Sequence, residues 1–356
     1  MKAETNRAHG YATLQARNPL TPFQFERRQP GARDVDIEIL YCGICHSDIH
    51  QARDEWGGSI FPMVPGHEIA GRVRATGSAV TRYQPGDLVG VGCMVNSCRS
   101  CSNCRAGREQ FCEVGANFTY NSKEKDGSPT FGGYSDHIVV DEDFVLRIGH
   151  NERQLAGVAP LLCAGITTYS PLRRWQAGPG SRVGVVGLGG LGHMAIRLAK
   201  EMGAEVTLFT RSRGKQEDAL RLGAARVVLS SDETAMQAQH RKLDLIVDTV
   251  AAGHDINPYI SALTTGGTLV LVGVPDKPLE VIAGGLIMQA RTLAGSLIGG
   301  IGETQEMLDF CAQRDIVSEV EVIPIQQVNE AYDRVVRSDV KYRFSIEMAS
   351  LRHGRA

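Results

Sequence analysis

Hydrophobic and polar positions follow two different patterns along this chain. In the first 150 residues, short β-rich pieces such as residues 35–40 and 87–91 are interrupted frequently by Gly and Pro. Such interrupted runs predict an irregular, mostly-β domain. From about residue 156, short apolar strands alternate with helical segments, a pattern typical of βαβ units with a parallel sheet. The fold class is therefore predicted to be α/β.

The second pattern supplies enough strands for a dinucleotide-binding half and more. Predicted strands cover residues 182–186, 205–210, 227–229, 243–247 and 268–272, and predicted helices cover 191–202 and 215–222. Beyond residue 291, an amphipathic helix over 303–314 precedes a β-like stretch over 320–323. At 356 residues, the chain exceeds the size at which one core usually keeps growing, so two domains are expected.

Composition and charge exclude several classes of function. The chain is 42% hydrophobic and 22% charged, and its formal net charge of -2 offers no broad basic field for nucleic acid or an anionic membrane. No stretch looks like a signal peptide or a membrane span, so a cytoplasmic protein with a small substrate is expected. The nine cysteines are then expected to be metal ligands or free thiols rather than disulfides.

A glycine motif follows the predicted strand 182–186 and opens the predicted helix 191–202. It reads Gly187, Leu188, Gly189, Gly190, Leu191 and Gly192. A tight turn in this context lets the backbone approach a pyrophosphate and aims a helix N-terminus at its charge. The motif therefore predicts a dinucleotide site, with a glycine-rich turn that binds nothing as the alternative.

The end of the next predicted strand indicates which dinucleotide is bound. NAD-binding domains place Asp or Glu there to bond the ribose 2′-hydroxyl, but this chain has Thr210, Arg211 and Ser212. Hydrogen-bond donors and positive charge suit a 2′-phosphate, so NADP is favoured over NAD, and Lys215 is included in the candidate site. The alternative is that Arg211 and Arg213 are solvated loop charges.

Four cysteines within residues 93–115 form a dense cluster: Cys98, Cys101, Cys104 and Cys112. Four thiolates suit a closed, structural zinc site. A bacterial ferredoxin motif begins with the same spacing but continues with three residues, Cys and Pro, whereas Cys112 follows a seven-residue gap. A nucleic-acid-binding zinc module would need basic clustering that the chain lacks.

A second metal site is predicted from residues that are far apart in the sequence. Cys45, His67 and Cys163 could each be buried core residues. Together they form a set of two cysteines and one histidine, which is a known catalytic zinc ligation with its fourth position open. Combined with the glycine motif, this set predicts metal-assisted hydride transfer.

The motifs closely resemble those of zinc-dependent medium-chain alcohol dehydrogenases, within them the cinnamyl alcohol dehydrogenase-like, NADP-preferring branch that includes bacterial broad-range aldehyde reductases. The resemblance rests on residues 42–50, 62–71 and 160–169, the four-cysteine cluster and the glycine motif. It implies a GroES-like, mostly-β catalytic domain over 1–155, a Rossmann doubly wound parallel-sheet domain over 156–292, and a return to the catalytic domain over 293–356. The active site is expected in the cleft between the domains.

The resemblance also implies roles for individual residues. Glu68 is expected to be an alternate zinc ligand, and Asp48 to orient the ligand His67, since such partners fix the tautomer of a metal-bound imidazole. The alternative for both is a purely structural hydrogen-bonding residue. Ser47 is expected to receive the alcohol proton and His50 to relay it to solvent.

Other candidate roles have a plain structural alternative. His46 and Arg343 resemble residues near the cofactor phosphates, but each could be an ordinary surface side chain. Trp56 is expected either in the substrate pocket or in the core. The remaining cysteines are expected to be buried structural residues: Cys42, Cys93 and Cys311.

The expected activity is reversible interconversion of primary alcohols and aldehydes, aromatic or aliphatic, with NADP(H) and two Zn²⁺ per subunit. The alternatives are an NAD-dependent secondary-alcohol or polyol dehydrogenase and a cofactor-binding protein without turnover. A homodimer or homotetramer is expected, with residues 269–272 and 282–286 as a candidate subunit contact.

Overall fold

The computed structural model describes residues 6–124, 126–275 and 277–352. The chain divides into two compact units, here called the first unit (Met1–Cys163 with Gly299–Ala356) and the second unit (Ala164–Ile298). The chain thus leaves the first unit once and returns to it. The functional domain limits given above, at residues 155/156 and 292/293, remain predictions.

The first unit is mostly β structure, as its Gly- and Pro-interrupted pattern predicts. Its strands are β1 (Arg7–Ala12), β2 (Thr21–Glu26), β3 (Asp34–Ile44), β4 (Ile69–Thr76), β5 (Leu88–Val91), β6 (Met94–Asn96), β7 (Asn117–Phe118), β8 (His137–Asp141), β9 (Leu146–Arg147), β16 (Val320–Pro324) and β17 (Arg343–Glu347). Its helices are α1 (His46–Ala52), α2 (Ser102–Arg105), α3 (Leu155–Val158), α10 (Ile301–Gln313) and α11 (Val328–Val336). The main sheet has the order β16-β17-β3-β4-β5-β9, with β8 also paired to β3.

The second unit alternates strands and helices. Its strands are β10 (Arg182–Val186), β11 (Glu205–Thr210), β12 (Arg226–Leu229), β13 (Leu243–Asp248), β14 (Leu263–Leu271) and β15 (Thr292–Gly295). Its helices are α4 (Ala164–Arg174), α5 (Gly192–Glu201), α6 (Gln216–Leu222), α7 (Glu233–Gln237), α8 (Asn257–Ala262) and α9 (Ala283–Ile287).

The six strands among the described residues of the second unit are parallel and lie in the order β12-β11-β10-β13-β14-β15. Counted along the chain this is the 3-2-1-4-5-6 order of dinucleotide-binding doubly wound sheets. Helices cover such parallel sheets on their faces, which explains why Val183, Val185, Ile246 and Val247 are completely buried. The predicted α/β fold class is confirmed.

The structure restricts the predicted subunit contact over residues 269–272. Leu269 and Val270 are completely buried in β14, which lies between β13 and β15 inside the sheet. An interior strand has no free hydrogen-bonding edge, so Leu269 and Val270 pack inside the sheet, and a subunit contact through the partly buried Leu271 and Val272 stays a prediction. The edge strand on that side is β15.

One further prediction concerns membranes. Among the described residues, no single helix is long and apolar enough to cross a bilayer. The consecutive segments Glu152–Leu162 and Ala164–Arg174 reach that length and composition only as a bent pair.

Candidate metal and cofactor sites

Three separate stretches of the first unit bring four candidate ligands together. Cys45 precedes α1 as its N-cap, His67 and Glu68 directly precede β4, and Cys163 follows a 3₁₀ turn over Ala159–Leu162. One ligand atom from each of these residues lies within 4.8 Å of the others, and all four residues are buried. The structure therefore assembles the set that is scattered along the sequence.

The spacing of the two sulfurs fits a zinc ion. The Sγ atoms of Cys45 and Cys163 are 3.8 Å apart. Two sulfurs at about 2.3 Å from a tetrahedral zinc would be about 3.8 Å from each other. The donor set and its spacing thus both match the ligation expected for this metal.

Asp48 holds the metal set in place through four donors. Its Oδ2 accepts the backbone N–H of Cys45 at 2.8 Å and the hydroxyl of Tyr134 at 3.2 Å. Its Oδ1 accepts the backbone N–H of Gly66 at 3.1 Å and faces Nδ1 of His67 at 3.2 Å. The carboxylate is fully buried, so these contacts replace its hydration.

This contact fixes the tautomer of His67. With Nδ1–H directed at Asp48, the other ring nitrogen, Nε2, keeps a lone pair that can bind a metal. The imidazole also stacks on Tyr120, with ring centroids 5.7 Å apart. Burial acts to lower the pKa of His67, but the charges of Asp48 and Cys93 and the hydrogen bonds with Asp48 and Cys45 together outweigh it and raise this pKa well above its usual range.

Glu68 is buried with one oxygen paired and the other without a partner. Its Oε1 accepts a hydrogen bond from Nη2 of Arg343, and both side chains are buried. Its Oε2 has no hydrogen-bond partner in the described structure. A Cβ at Gly43 would lie 1.9 Å from that oxygen, so only glycine leaves room for it. An orphaned buried carboxylate oxygen beside the ligand set fits the predicted role as an alternate ligand.

The ionisation of these groups reflects burial and mutual contact. Burial raises the pKa of Glu68 to about 8, although Arg343 opposes this shift. A hydrogen bond from Cys163 lowers the pKa of Cys45 well below its usual range despite burial, and the same contact raises the pKa of Cys163. Cys93, expected to be merely structural, lies half-buried beside Cys163, and their hydrogen bond lowers the pKa of Cys93.

The predicted proton-relay residues lie on α1. The Oγ of Ser47 is 3.6 Å from the Sγ of Cys45. One turn further along, Nδ1 of His50 lies 2.5 Å from Oε2 of Glu55. The His50 ring stacks on the ring of His46, with centroids 5.3 Å apart, and on the indole of Trp56, with centroids 4.8 Å apart.

The exposed fractions of Trp56 and Arg343 each exclude one of the alternatives given above for these residues. Trp56 is 46% exposed, so the alternative that placed it in the core is wrong. Arg343 is 5% exposed and paired with Glu68, so its alternative as a surface residue is also wrong. Its predicted contact with the cofactor pyrophosphate stays a prediction.

The second cluster of the first unit consists of the four cysteines predicted to bind structural zinc. Cys98, Cys101, Cys104 and Cys112 have their sulfurs within 4.8 Å of one another. The Sγ atoms of Cys98 and Cys104 are 3.8 Å apart, the same tetrahedral spacing as in the first set. None of the nine cysteines is in a disulfide.

Backbone N–H groups surround these sulfurs. The N–H of Cys101 points to Sγ of Cys98 at 3.3 Å, that of Cys104 to Sγ of Cys101 at 3.5 Å, and that of Cys98 to Sγ of Cys112 at 3.4 Å. Backbone donors lower the pKa of Cys98 to about 6. Such N–H groups stabilise thiolates, the form that binds zinc.

In the second unit, three of the four motif glycines have distinct surroundings: Gly187, Gly189 and Gly192. Gly187 has φ +89°, a left-handed conformation that suits the tight turn after β10. A Cβ at Gly189 would meet no atom within 4 Å, which leaves open space beside the backbone for a ligand. A Cβ at Gly192 would lie 2.0 Å from the carbonyl of Gly187, so the start of α5 must pack without a side chain. Gly190 and Leu191 form the turn before that helix.

The other cofactor candidates lie beside this loop or at the end of β11. Thr210 is buried at the end of β11, and its Oγ1 accepts the N–H of Ser212 at 3.2 Å. Arg211 is exposed. The Nζ of Lys215 donates to the carbonyl of Leu188 at 2.7 Å, which ties the end of β11 to the glycine loop.

Sequence reasoning missed several residues that surround the first metal set. Glu55, Tyr120 and Tyr134 contact His50, His67 and Asp48. Glu55 could have been identified from the sequence as a carboxylate only five residues after His50. The tyrosines come from distant parts of the chain, and their approach depends on the fold.

Comparisons with known proteins agree along nearly the whole chain. Residues 31–150 match the model described as alcohol dehydrogenase GroES-like domain, and residues 190–313 match the one described as zinc-binding dehydrogenase. Aldehyde reductase YahK from Escherichia coli (strain K12) is 56% identical over 340 residues, 94% of this chain and 97% of that protein. NADP-dependent alcohol dehydrogenase C 1 from Mycolicibacterium smegmatis is 54% identical over 96% of this chain and 98% of its own length. A solved cinnamyl alcohol dehydrogenase from Sorghum bicolor aligns with a TM-score of 0.93 and 44% identity, covering 96% and 98% of the two chains.

Proposed function

Because the chain belongs to the zinc-binding dehydrogenases that carry an alcohol dehydrogenase GroES-like domain, we propose that it interconverts primary alcohols and aldehydes by hydride transfer with NADP(H). The family identified from the sequence motifs is confirmed. The chain is a zinc-type alcohol and aldehyde oxidoreductase, and its substrate range is proposed to include aromatic and aliphatic aldehydes.

The observation that carries this proposal is the buried set of Cys45, His67 and Cys163 with Glu68 beside it. Two sulfurs and one imidazole would hold the catalytic zinc and leave one position for substrate oxygen. When bound, this zinc supplies Lewis acidity, which polarises a carbonyl and favours an ionised hydroxyl. The four-cysteine cluster would hold a second zinc that stabilises the fold.

The residues of α1 are proposed to move the proton. Ser47, half-buried next to Cys45, accepts the hydroxyl proton of the alcohol at Oγ and releases its own hydroxyl proton into the relay. His50 passes it to solvent, and Glu55 supports this role by accepting the Nδ1–H, which leaves Nε2 free to take up a proton. Because His50 is half-buried, its ring can exchange that proton with water.

The second unit is proposed to bind the cofactor. Open space over Gly189 suits the pyrophosphate, and the N-terminus of α5 favours its negative charge. Arg211, with Thr210 and Ser212, is proposed to bind the 2′-phosphate, and Lys215 to support the glycine loop. His46 and Arg343 remain proposed contributors to phosphate binding.

The test combines metal content with a substrate panel. The purified protein is assayed for zinc per chain and for reduction of benzaldehyde, cinnamaldehyde, butanal and a ketone, each with NADPH and with NADH. Oxidation of mannitol is included as the polyol control. We expect two zinc ions per chain, aldehyde reduction that exceeds ketone reduction, and a higher kcat/KM with NADPH.

Two results would contradict the proposal in different ways. A preference for NADH with ketones or mannitol would favour the secondary-alcohol or polyol alternative. A protein that holds two zinc ions and binds NADPH but reduces no aldehyde would be a cofactor-binding protein without turnover.

A homodimer or homotetramer is part of the proposal. Beside the edge strand β15, Ile282, Ile287 and Met288 are 65%, 74% and 76% exposed, an unusual concentration of apolar surface. Replacing Ile287 with Lys should lower the mass measured by light scattering, whereas the same change at the exposed Leu220 should not. An unchanged mass in both variants would place the contact elsewhere.

A cytoplasmic location is also part of the proposal. Its support is chemical, since thiols that must bind metal stay reduced in the cytosol. Detection of the protein in an exported fraction would contradict it.

A further inference from the structure

His254 lies on the loop after β13, and both of its ring nitrogens face acceptors. Nε2 is 2.9 Å from Oδ2 of Asp248, and Nδ1 is 2.9 Å from the carbonyl oxygen of Ala252. A neutral imidazole has a single N–H, whereas the imidazolium donates from both nitrogens. The geometry therefore selects the charged form of His254.

The partner of His254 is a buried carboxylate at the cofactor-binding edge of the sheet. Asp248 is the last residue of β13 and is 1% exposed. Its Oδ1 accepts the backbone N–H of Val250 at 3.0 Å, so both carboxylate oxygens have a donor. Dinucleotides bind at the carboxyl ends of the strands in this type of sheet, so an unscreened charge here would act on the cofactor.

The loop that carries His254 packs against the glycine motif. The Oγ1 of Thr249 donates to the carbonyl of Val186 at 2.7 Å. The side chain of Val250 lies 3.0 Å from the place of a Cβ on Gly187. The loop is therefore held at the turn proposed to receive the pyrophosphate.

Three further groups face the imidazole or its neighbours. The hydrogen bond that His254 donates to Asp248 raises the pKa of His254, although burial and the more distant Arg211 guanidinium act to lower it. The Tyr259 ring of α8 lies 6.0 Å from the imidazole in a T-shaped contact. Asp255, next in the chain, acts electrostatically on Tyr259.

We propose that His254 is a specificity residue for the 2′-phosphate of NADP(H), because its imidazolium cancels the charge of Asp248. Asp248 and Phe209 pair with Val186 of β10 from opposite sides, so the end of β13 lies two strands from the end of β11, which Arg211 follows. Without that positive charge, the buried carboxylate would repel a phosphate dianion at this edge, and the repulsion is strong where water is scarce. NADH lacks this phosphate, so its binding should change much less. This inference rests on the proposed use of NADP(H).

A purely structural role makes a different prediction. If His254 only ties its loop to β13, its loss should weaken NADPH and NADH equally, since both place a pyrophosphate at the glycine turn. The two cofactors together therefore separate charge screening from loop support.

The experiment uses three variants of the zinc-loaded protein: His254→Gln, Asp248→Asn and the double variant. Dissociation constants for NADPH and NADH are measured at pH 7.5 by nicotinamide fluorescence. His254→Gln should weaken NADPH about tenfold, the effect of one unscreened charge at a partly solvated edge, and NADH less than about twofold. Asp248→Asn should bind NADPH at least as well as the wild type.

The double variant gives the sharpest result. Removing the carboxylate as well should restore NADPH binding to within about threefold of the wild type, because no negative charge is left to screen. His240→Gln is the matched control, since this exposed histidine bonds Ser261 at 3.0 Å in the same unit. Thermal melting shows whether each variant is folded.

A pH series supplies an independent measurement. The imidazolium is present below its raised pKa and lost above it, so the preference for NADPH over NADH should fall as pH rises in the wild type. In His254→Gln, the only pH dependence left in this preference should come from the 2′-phosphate itself, which titrates at about pH 6.

Three results would overturn the inference: equal weakening of both cofactors, no recovery in the double variant, or identical pH profiles in the wild type and His254→Gln. Failure of the proposed function is visible separately. It would appear as a wild-type protein that binds NADH at least as tightly as NADPH.

Discussion

Replacing Asp48 with Asn should weaken zinc binding at the Cys45, His67 and Cys163 set and leave the four-cysteine cluster loaded. The Asp48 carboxylate faces four donors, two on each oxygen. An amide has one acceptor oxygen, and its NH₂ group would face two of these donors whichever way it is oriented.

The magnitude follows from those contacts. If the amide oxygen faces Gly66 and His67, the Tyr134 hydroxyl can turn, but the buried N–H of Cys45 loses its acceptor. If the amide is flipped, His67 loses the partner that fixes its tautomer. One unmade buried hydrogen bond costs about 1–3 kcal/mol, which corresponds to about a 5- to 150-fold loss of zinc affinity. Changes in the partners of metal ligands typically cost about 10–100-fold, in the same range.

The assay is zinc retention during titration with a chelator. The wild type should keep two zinc ions per chain at chelator concentrations where Asp48→Asn approaches one, and kcat should fall in parallel. Asp36→Asn is the control, because it replaces a carboxylate with an amide in the same way. Asp36 is half-buried and pairs with Arg74 at 2.7 Å. The reasoning would be refuted if Asp48→Asn and Asp36→Asn released zinc at the same chelator concentration.

Three further pairs of outcomes can be checked with standard assays. Cys163→Ala should abolish turnover with the melting temperature largely kept, whereas Cys104→Ala should lower the melting temperature first; equal loss of fold in both would contradict separate catalytic and structural sites. Gly189→Ala should fold normally but bind either cofactor weakly. Gly192→Ala should unfold at lower temperature because its Cβ has no room. A calorimetric melting temperature lower for Gly189→Ala than for Gly192→Ala would contradict this reasoning. Arg211→Ala should raise KM for NADPH with little effect on NADH, and an unchanged NADPH value would remove its phosphate role.

The elements of the second unit were well predicted because periodicity and burial agree there. Strands over 182–186 and 205–210 coincide with β10 and β11, since an uninterrupted apolar run between helical segments suits a strand buried on both faces. The predicted helix over 215–222 begins instead with a 3₁₀ turn over Arg213–Lys215. The end of a helix depends on local capping, which an apolar pattern does not report.

The candidate sites were predictable to different degrees. The four cysteines are close in sequence, so their spacing alone indicates one metal site. Cys45, His67 and Cys163 needed the family resemblance, because only the fold brings them together. Asp248 could not be recognised at all, since a carboxylate ending a strand is ordinary until its partner is known.

The close approach of Gly43 to Glu68 has a consequence for how this protein can change. No side chain fits at position 43 while a glutamate occupies position 68. A larger residue at position 43 becomes tolerable only after position 68 has been shortened, whereas position 68 can be shortened first, so the order of the two changes is fixed. Libraries that enlarge position 43 and keep Glu68 would return mostly variants with a displaced Glu68 carboxylate.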